Sequence, residues 1–289
     1  RPAEVPRGIP TRIGTPHPPL FLDEAAKPAV AERPPFIGRE PELTRLDSYL
    51  DAALEGRGRV AFIAGGPGRG KTALMRAFAV RAMDAHPELL VISGACNATS
   101  GVGDAYLPFR EALAMLTGDV DSQWQAGAIS RNHAEGLWSV LSETLPALIE
   151  RGPYVINTLV RGANLIVRAE EARLGDAAWM PELRALANRV AVSNLQQQAL
   201  FQQVTNTLRA VAAHHPLVLM LDDLQWADQG SVGLFFHLGR HLAGGRILVL
   251  GAYRPEEIDR ATESKPHPLT KLLTEFRRTF GNVSIDLEQ

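Results

Sequence analysis

Five apolar residues, Val60-Ala61-Phe62-Ile63-Ala64, run straight into a glycine-rich turn, Gly65-Gly66-Pro67-Gly68-Arg69-Gly70-Lys71-Thr72, and then into a segment where Leu74, Phe78 and Met83 recur at helical spacing. No other feature constrains the chain as much. The turn fits G-x-x-x-x-G-K-[ST] and lies between a strand and a helix, the context in which that pattern has a mechanism. Glycines let backbone N–H groups converge on a concavity without side-chain clashes, and the helix N-terminus adds partial positive charge. Such a cradle fits a polyphosphate. Lys71 would reach its β- and γ-phosphates, and the Thr72 hydroxyl would ligate Mg2+. Of the 30 basic residues only Lys27, Lys71, Lys265 and Lys271 are lysines, so a lysine at this place in the motif is informative. A second apolar run, Leu89–Ile92, completes a βαβ unit and favours a parallel sheet with helices on its faces.

A magnesium site also needs a carboxylate at the end of a neighbouring strand. Leu217-Val218-Leu219-Met220-Leu221 runs directly into Asp222-Asp223. A buried strand carries two adjacent acids only where it emerges, and in a parallel sheet the carboxyl end is the ligand-binding edge. Asp222 is therefore the candidate Mg2+ ligand, through water, and Asp223 the residue that orients or deprotonates an attacking water.

The rest of the chain arranges itself around these two blocks. Residues 1–35 hold nine of the 20 prolines and read as an extended arm or linker. From Glu40, with Pro41 in a first helical turn, Leu43, Leu46, Leu50 and Leu54 mark an amphipathic helix. About 120 residues separate the second and third strands, far more than a simple crossover needs. Leu107–Leu116 and the segment from Ser193, where Ser193 and Gln196 fit a capping box, read as helices, and 119–192 reads as a helical insertion. After the third strand come a helix from Asp228, its N-cap, to Leu242, a fourth strand Ile247–Leu250, a helix Leu269–Phe280 and a weak fifth strand Val283–Leu287.

Composition narrows the partners. A net charge of −2 argues against a chain whose main business is coating nucleic acid. Without an 18-residue apolar run or an apolar leader, neither a membrane span nor an export signal is evident, and the lone Cys96 does not point to an oxidising compartment. A cytoplasmic setting is the expectation. The absence of an initial Met and the stop just after an apparent strand suggest a piece of a longer protein. His214-His215 beside Pro216, Cys96, and the tryptophans at 124, 138, 179 and 226 all read more simply as structural than as chemical residues.

Four blocks, Phe36-Ile37-Gly38-Arg39-Glu40, the phosphate loop, Leu221-Asp222-Asp223-Leu224-Gln225-Trp226-Ala227-Asp228 and Leu250-Gly251-Ala252-Tyr253-Arg254-Pro255-Glu256-Glu257, in this order and spacing resemble the AAA-like ATPase module of the STAND class. These are signal-transduction ATPases with numerous domains, and the nearest likeness is to modules of large bacterial LuxR-type transcriptional regulators and cyclase-linked proteins. The resemblance spans residues 34–289. It implies a P-loop NTPase domain (ASCE/AAA-like) over 36–289: a three-layer α/β sandwich around a parallel five-stranded sheet of order 5-1-4-3-2, with the helical insertion between strands 2 and 3. It places Ile37, Gly38 and Arg39 against an adenine, Gly65 to Thr72 with Ala73 around phosphates, Thr72 and Asp222 at Mg2+, and Lys71, Asp223 and Arg254 in catalysis, Arg254 as the sensor of the γ-phosphate. Family members continue into helical and winged-helix pieces that close over the nucleotide, which this sequence lacks.

The reading is an ATP-binding switch that hydrolyses ATP slowly to ADP and phosphate and reports the bound state to other domains of a longer chain, with nucleotide-dependent self-assembly open to it. Its rivals are a nucleotide-holding scaffold that displays the insertion to a partner, a P-loop kinase, and an AAA-type remodelling ATPase.

Overall fold

The computed structural model describes residues 16–19, 38–98, 105–189, 197–259 and 267–288. Ile37, most of the proline-rich arm and the Ser193 capping box lie outside them. Five parallel strands, β1 (Arg59–Ala64), β2 (Leu90–Ala95), β3 (Leu217–Asp222), β4 (Ile247–Tyr253) and β5 (Ser284–Asp286), pair in the order β2-β3-β4-β1-β5, which is the expected 5-1-4-3-2.

Strand side chains alternate between two apolar layers, as a period of two requires. Ala61, Ile63, Val218, Met220, Leu248 and Leu250 face α1 (Glu40–Leu54) and α2 (Lys71–Ala85), whose Leu46, Leu74 and Phe78 are fully buried. Val60, Phe62, Leu219, Leu221 and Val249 face the opposite layer. There α3 (Leu107–Leu116), α9 (Gln197–His214), α10 (Gln229–Arg240) and α12 (Pro268–Phe280), which follows the short α11 (Pro255–Asp259), cover the sheet, and Phe62, Phe235 and Phe276 form an aromatic cluster with ring centroids 5.6–6.2 Å apart. Burial on both faces explains why the central strands read as continuous apolar runs.

Between α3 and α9 the described residues fold into α4 (Asp121–Gln125), α5 (Arg131–Ser139), α6 (Leu141–Arg151), α7 (Gly162–Glu171) and α8 (Met180–Ala187). Their apolar residues, including Trp138, Leu145, Leu165 and Leu183, join the same core layer as the sheet. Asp228 caps α10 as expected, its side chain accepting from the Ser231 N–H at 3.0 Å. His215 instead pairs with Glu143 of α6 at 3.0 Å, and Trp226 stays 39 % exposed at the end of a 3-10 turn rather than joining the core. Among the described residues no helix is long and apolar enough to cross a membrane.

Two positions give the fold its tightest tests. A Cβ at Gly94 of β2 would lie 1.9 Å from the Pro108 carbonyl oxygen, so only glycine lets α3 approach the sheet. Gly94→Ala should therefore destabilise the protein by about 3 kcal/mol, read from a urea midpoint. His133 is buried, with Nε2 2.7 Å from the Val91 carbonyl, and burial lowers its imidazole below the ordinary 6.5. The unfolded chain then takes a proton there before the folded chain does, so this residue costs stability as pH falls below 6.5. The loss of urea midpoint between about pH 7.5 and about pH 5.5 should be smaller in His133→Gln than in the wild type.

Candidate nucleotide site

Register decides what meets at the carboxyl edge. Ala64 pairs level with Tyr253, and Ala95 level with Asp222, so the exits of β1, β4 and β3 open onto one cleft. Its volume is about 1150 Å3. Pro67, Gly68, Gly70, Lys71, Thr72, Ala73, Asp223 and Arg254 line it, and it continues along α2 past Arg76 and Val80 to Ala85.

The loop takes its shape from glycines in the left-handed region, Gly68 at φ +73° and Gly70 at φ +85°, the latter directly before the first residue of α2. A Cβ would find open space at both, so it is the backbone conformation that selects glycine there. Lys71 folds back into the loop, where its ammonium donates to the carbonyls of Gly65 (2.7 Å) and Gly66 (2.9 Å). Burial, and then the neighbouring Arg254 guanidinium, push its pKa down from 10.5. A buried cation satisfied only by neutral carbonyls is suited to an incoming anion.

One residue on, the Thr72 hydroxyl donates to Asp222 Oδ2 at 2.5 Å, and Asp222 Oδ1 accepts from the Asp223 N–H at 2.8 Å. Burial raises the Asp222 carboxyl above 3.8, and the Thr72 bond opposes that rise. A hydroxyl and a carboxylate in contact at the head of a phosphate loop form a hard oxygen donor pair that fits Mg2+.

Asp223 has a left-handed backbone, φ +52° and ψ +40°, uncommon for a residue with a Cβ. Its carboxylate is gripped through Oδ1 by the Gln225 side-chain amide at 2.7 Å and by Arg254 Nη2 at 3.5 Å. The Gln225 side-chain oxygen in turn accepts from the Arg254 N–H at 3.1 Å. Gln225 is thus a buried bridge between the residue after β3 and the residue after β4. Its own carbonyl accepts from His267 Nε2 at 3.1 Å, while His267 Nδ1 accepts from the Leu269 N–H, which fixes the neutral Nε2–H tautomer at the head of α12. Among the described residues the buried Arg254 Nε has no hydrogen-bond partner.

Gly38 (φ +90°) and Arg39 sit on the other flank of the loop. Arg39 pairs with Glu42 at 2.7 Å and donates to the Leu287 carbonyl at 3.1 Å, and Leu287 packs on Gly65. Neither residue lines the cleft, and neither does Gly65, Gly66 or Arg69. Gln225 escaped sequence reasoning, as did Glu288, which accepts from the Gly66 N–H at 3.1 Å, and Glu256 beside it. A single glutamine two residues beyond the paired acids was the only available signal for the first. Cys96, at the end of β2, is buried, which pushes its thiol up to about 12.

Comparison with protein families matches residues 35–250 to the AAA ATPase domain. The chain belongs to that family. An uncharacterized protein of Rhizobium meliloti (strain 1021) is 25 % identical to this AAA ATPase domain over 223 residues, which are 76 % of this chain and 19 % of that protein. The chain thus spans about a fifth of the length of this relative. The crystal structure of Pif1 helicase from Candida albicans aligns with 75 % of this chain and 33 % of its own at a TM-score of 0.27 and 14 % identity, an overlap too low to argue from.

Lys71→Met should weaken binding of a nucleoside triphosphate by about 2–3 kcal/mol, or about 30- to 150-fold, the worth of charge-assisted hydrogen bonds. The same variant, freed of a buried ammonium, should melt no lower than the wild type, and titration calorimetry beside a melting curve checks both.

Proposed function

We propose that this AAA ATPase domain binds ATP with Mg2+ in the cleft, hydrolyses it slowly to ADP and phosphate, and works as a switch within a larger bacterial signalling or transcription-regulatory protein of the STAND kind in the cytoplasm. The observation that carries this reading is the bridge of Gln225 between Asp223 and Arg254, set opposite the phosphate loop.

The amides of Gly68, Gly70, Lys71, Thr72 and Ala73, all of which line the cleft, and the Lys71 ammonium would hold the triphosphate. Thr72 and Asp222 would hold Mg2+, which when bound neutralises phosphate charge as the bond to the leaving oxygen breaks. Asp223 would take a proton from the attacking water through Oδ2, since Oδ1 is engaged by Gln225 and Arg254. Tying up half of the base supports slow turnover.

Arg254 gives the switch its physical content. Its guanidinium lies 3.5 Å from the Asp223 carboxylate. A γ-phosphate offers the same cation a stronger partner, and ADP does not, so the two nucleotides would favour different positions of Arg254 and, through Gln225 and His267, of α12. Other domains of the same longer chain, or a second copy, would read that difference.

Phosphate release from saturating Mg-ATP, with bound nucleotide quantified in the same samples, tests the reading. Asp223→Asn should lose turnover by about 100-fold or more while retaining ATP. Gln225→Met, which keeps the volume but removes the bridge, should lower kcat about tenfold with ATP affinity unchanged. Turnover that survives Asp223→Asn would overturn the proposal.

A further inference from the structure

Pro16-His17-Pro18-Pro19, a short piece of the proline-rich arm, is seated on the helices between β2 and β3. Pro16 and Pro19 are buried and Pro18 is exposed. The Trp138 indole N–H of α5 donates to the His17 carbonyl at 2.6 Å, and the His17 N–H donates to the carbonyl of Ala172, just past α7, at 3.0 Å. With the segment in place Trp138 is 2 % exposed, and the hydrogen bond it makes is part-buried.

We propose that α5 and the end of α7 form a docking groove for an extended P-x-x-P segment, and that Pro16–Pro19 is its resident ligand. A polyproline II strand has three residues per turn and no internal hydrogen bonds, so prolines three apart share a face while the main-chain groups between them stay available. The burial pattern follows that period. His17 supplies the only main-chain N–H of the four residues, and both its N–H and its carbonyl are matched by the groove. An indole donor beside two buried prolines is the recognition chemistry of grooves that read proline-rich segments, in which affinity comes from a preformed, low-entropy ligand. Because the groove reads His17 through its backbone, other residues at that place would also be accepted, and the ligand class is a proline-rich extended peptide rather than one sequence. The arm, tethered to its own site, is present there at an effective concentration of about 1 mM. A groove of about 100 μM affinity would then be about nine-tenths filled, and a free peptide would bind about tenfold more weakly than to an emptied groove.

The test uses the full chain and a fluorescein-labelled peptide of residues 13–22. In Pro16→Ala/Pro19→Ala the peptide should bind about tenfold tighter than in the wild type. The indole N–H resonance of Trp138, assigned by its loss in Trp138→Phe, should move in the arm variant and return toward its wild-type position when peptide is added. Peptide binding should vanish in Trp138→Phe. Because the arm substitutions lie outside every described helix and strand, they decide the matter even if Trp138→Phe fails to fold. Equal or absent peptide binding in the wild type and the arm variant, or an indole resonance indifferent to the arm, would overturn the proposal.

Discussion

Parallel pairing of β1 with β4 and of β4 with β3 brings three chain exits to one level, and every group at the site inherits its place from that register. A parallel ladder has no freedom to slip by one residue here, because a slip would turn Phe62, Leu219 and Val249 out of one apolar layer and into the other. The same hydrophobic alternation that stabilises the sheet therefore fixes Lys71, Asp222, Asp223 and Arg254 relative to one another. The contact of Thr72 with Asp222 joins the head of α2 to the tail of β3 across the gap. The polar cleft is thus a by-product of packing precision in the layers beneath it.

Much of this architecture was legible in the sequence, for physical reasons that differ between elements. Strands buried on both faces announce themselves as unbroken apolar runs, and the glycine-rich turn carries its own geometry in its residue types. The paired acids were legible because charge is tolerated only where a core strand surfaces. The extension of β4 through Gly251-Ala252-Tyr253 was not, since that run lacks the branched residues that mark a strand, although all three are buried. Gln225 was invisible in a different way. Its importance lies in joining a local partner, Asp223, to Arg254, which only tertiary structure brings near, and its place two residues beyond the paired acids does not reveal that second bond.

The proline-rich arm shows the opposite failure. Low periodicity and many prolines look like a spacer, because polyproline conformation leaves no amphipathic signature to read. The hydrogen bonds of His17 became apparent only with Trp138 and Ala172 in place, more than 100 residues away in sequence. The family match over residues 35–250 likewise stops short of the arm.

The left-handed backbone at Asp223 sets two demands at odds at one position. Glycine would relax the chain there and erase the carboxylate; alanine would erase the carboxylate and keep the strain; asparagine tolerates the left-handed region nearly as well as aspartate while carrying no charge. Substitutions at 223 therefore sort along two separate axes, backbone relief and acid–base capacity, and each of the three moves along them differently. A chain with no use for a carboxylate here would gain conformational ease from glycine and little from asparagine. Retention of aspartate thus has a standing cost in folding free energy, and the carboxylate's contacts with Gln225 and Arg254 stand against it.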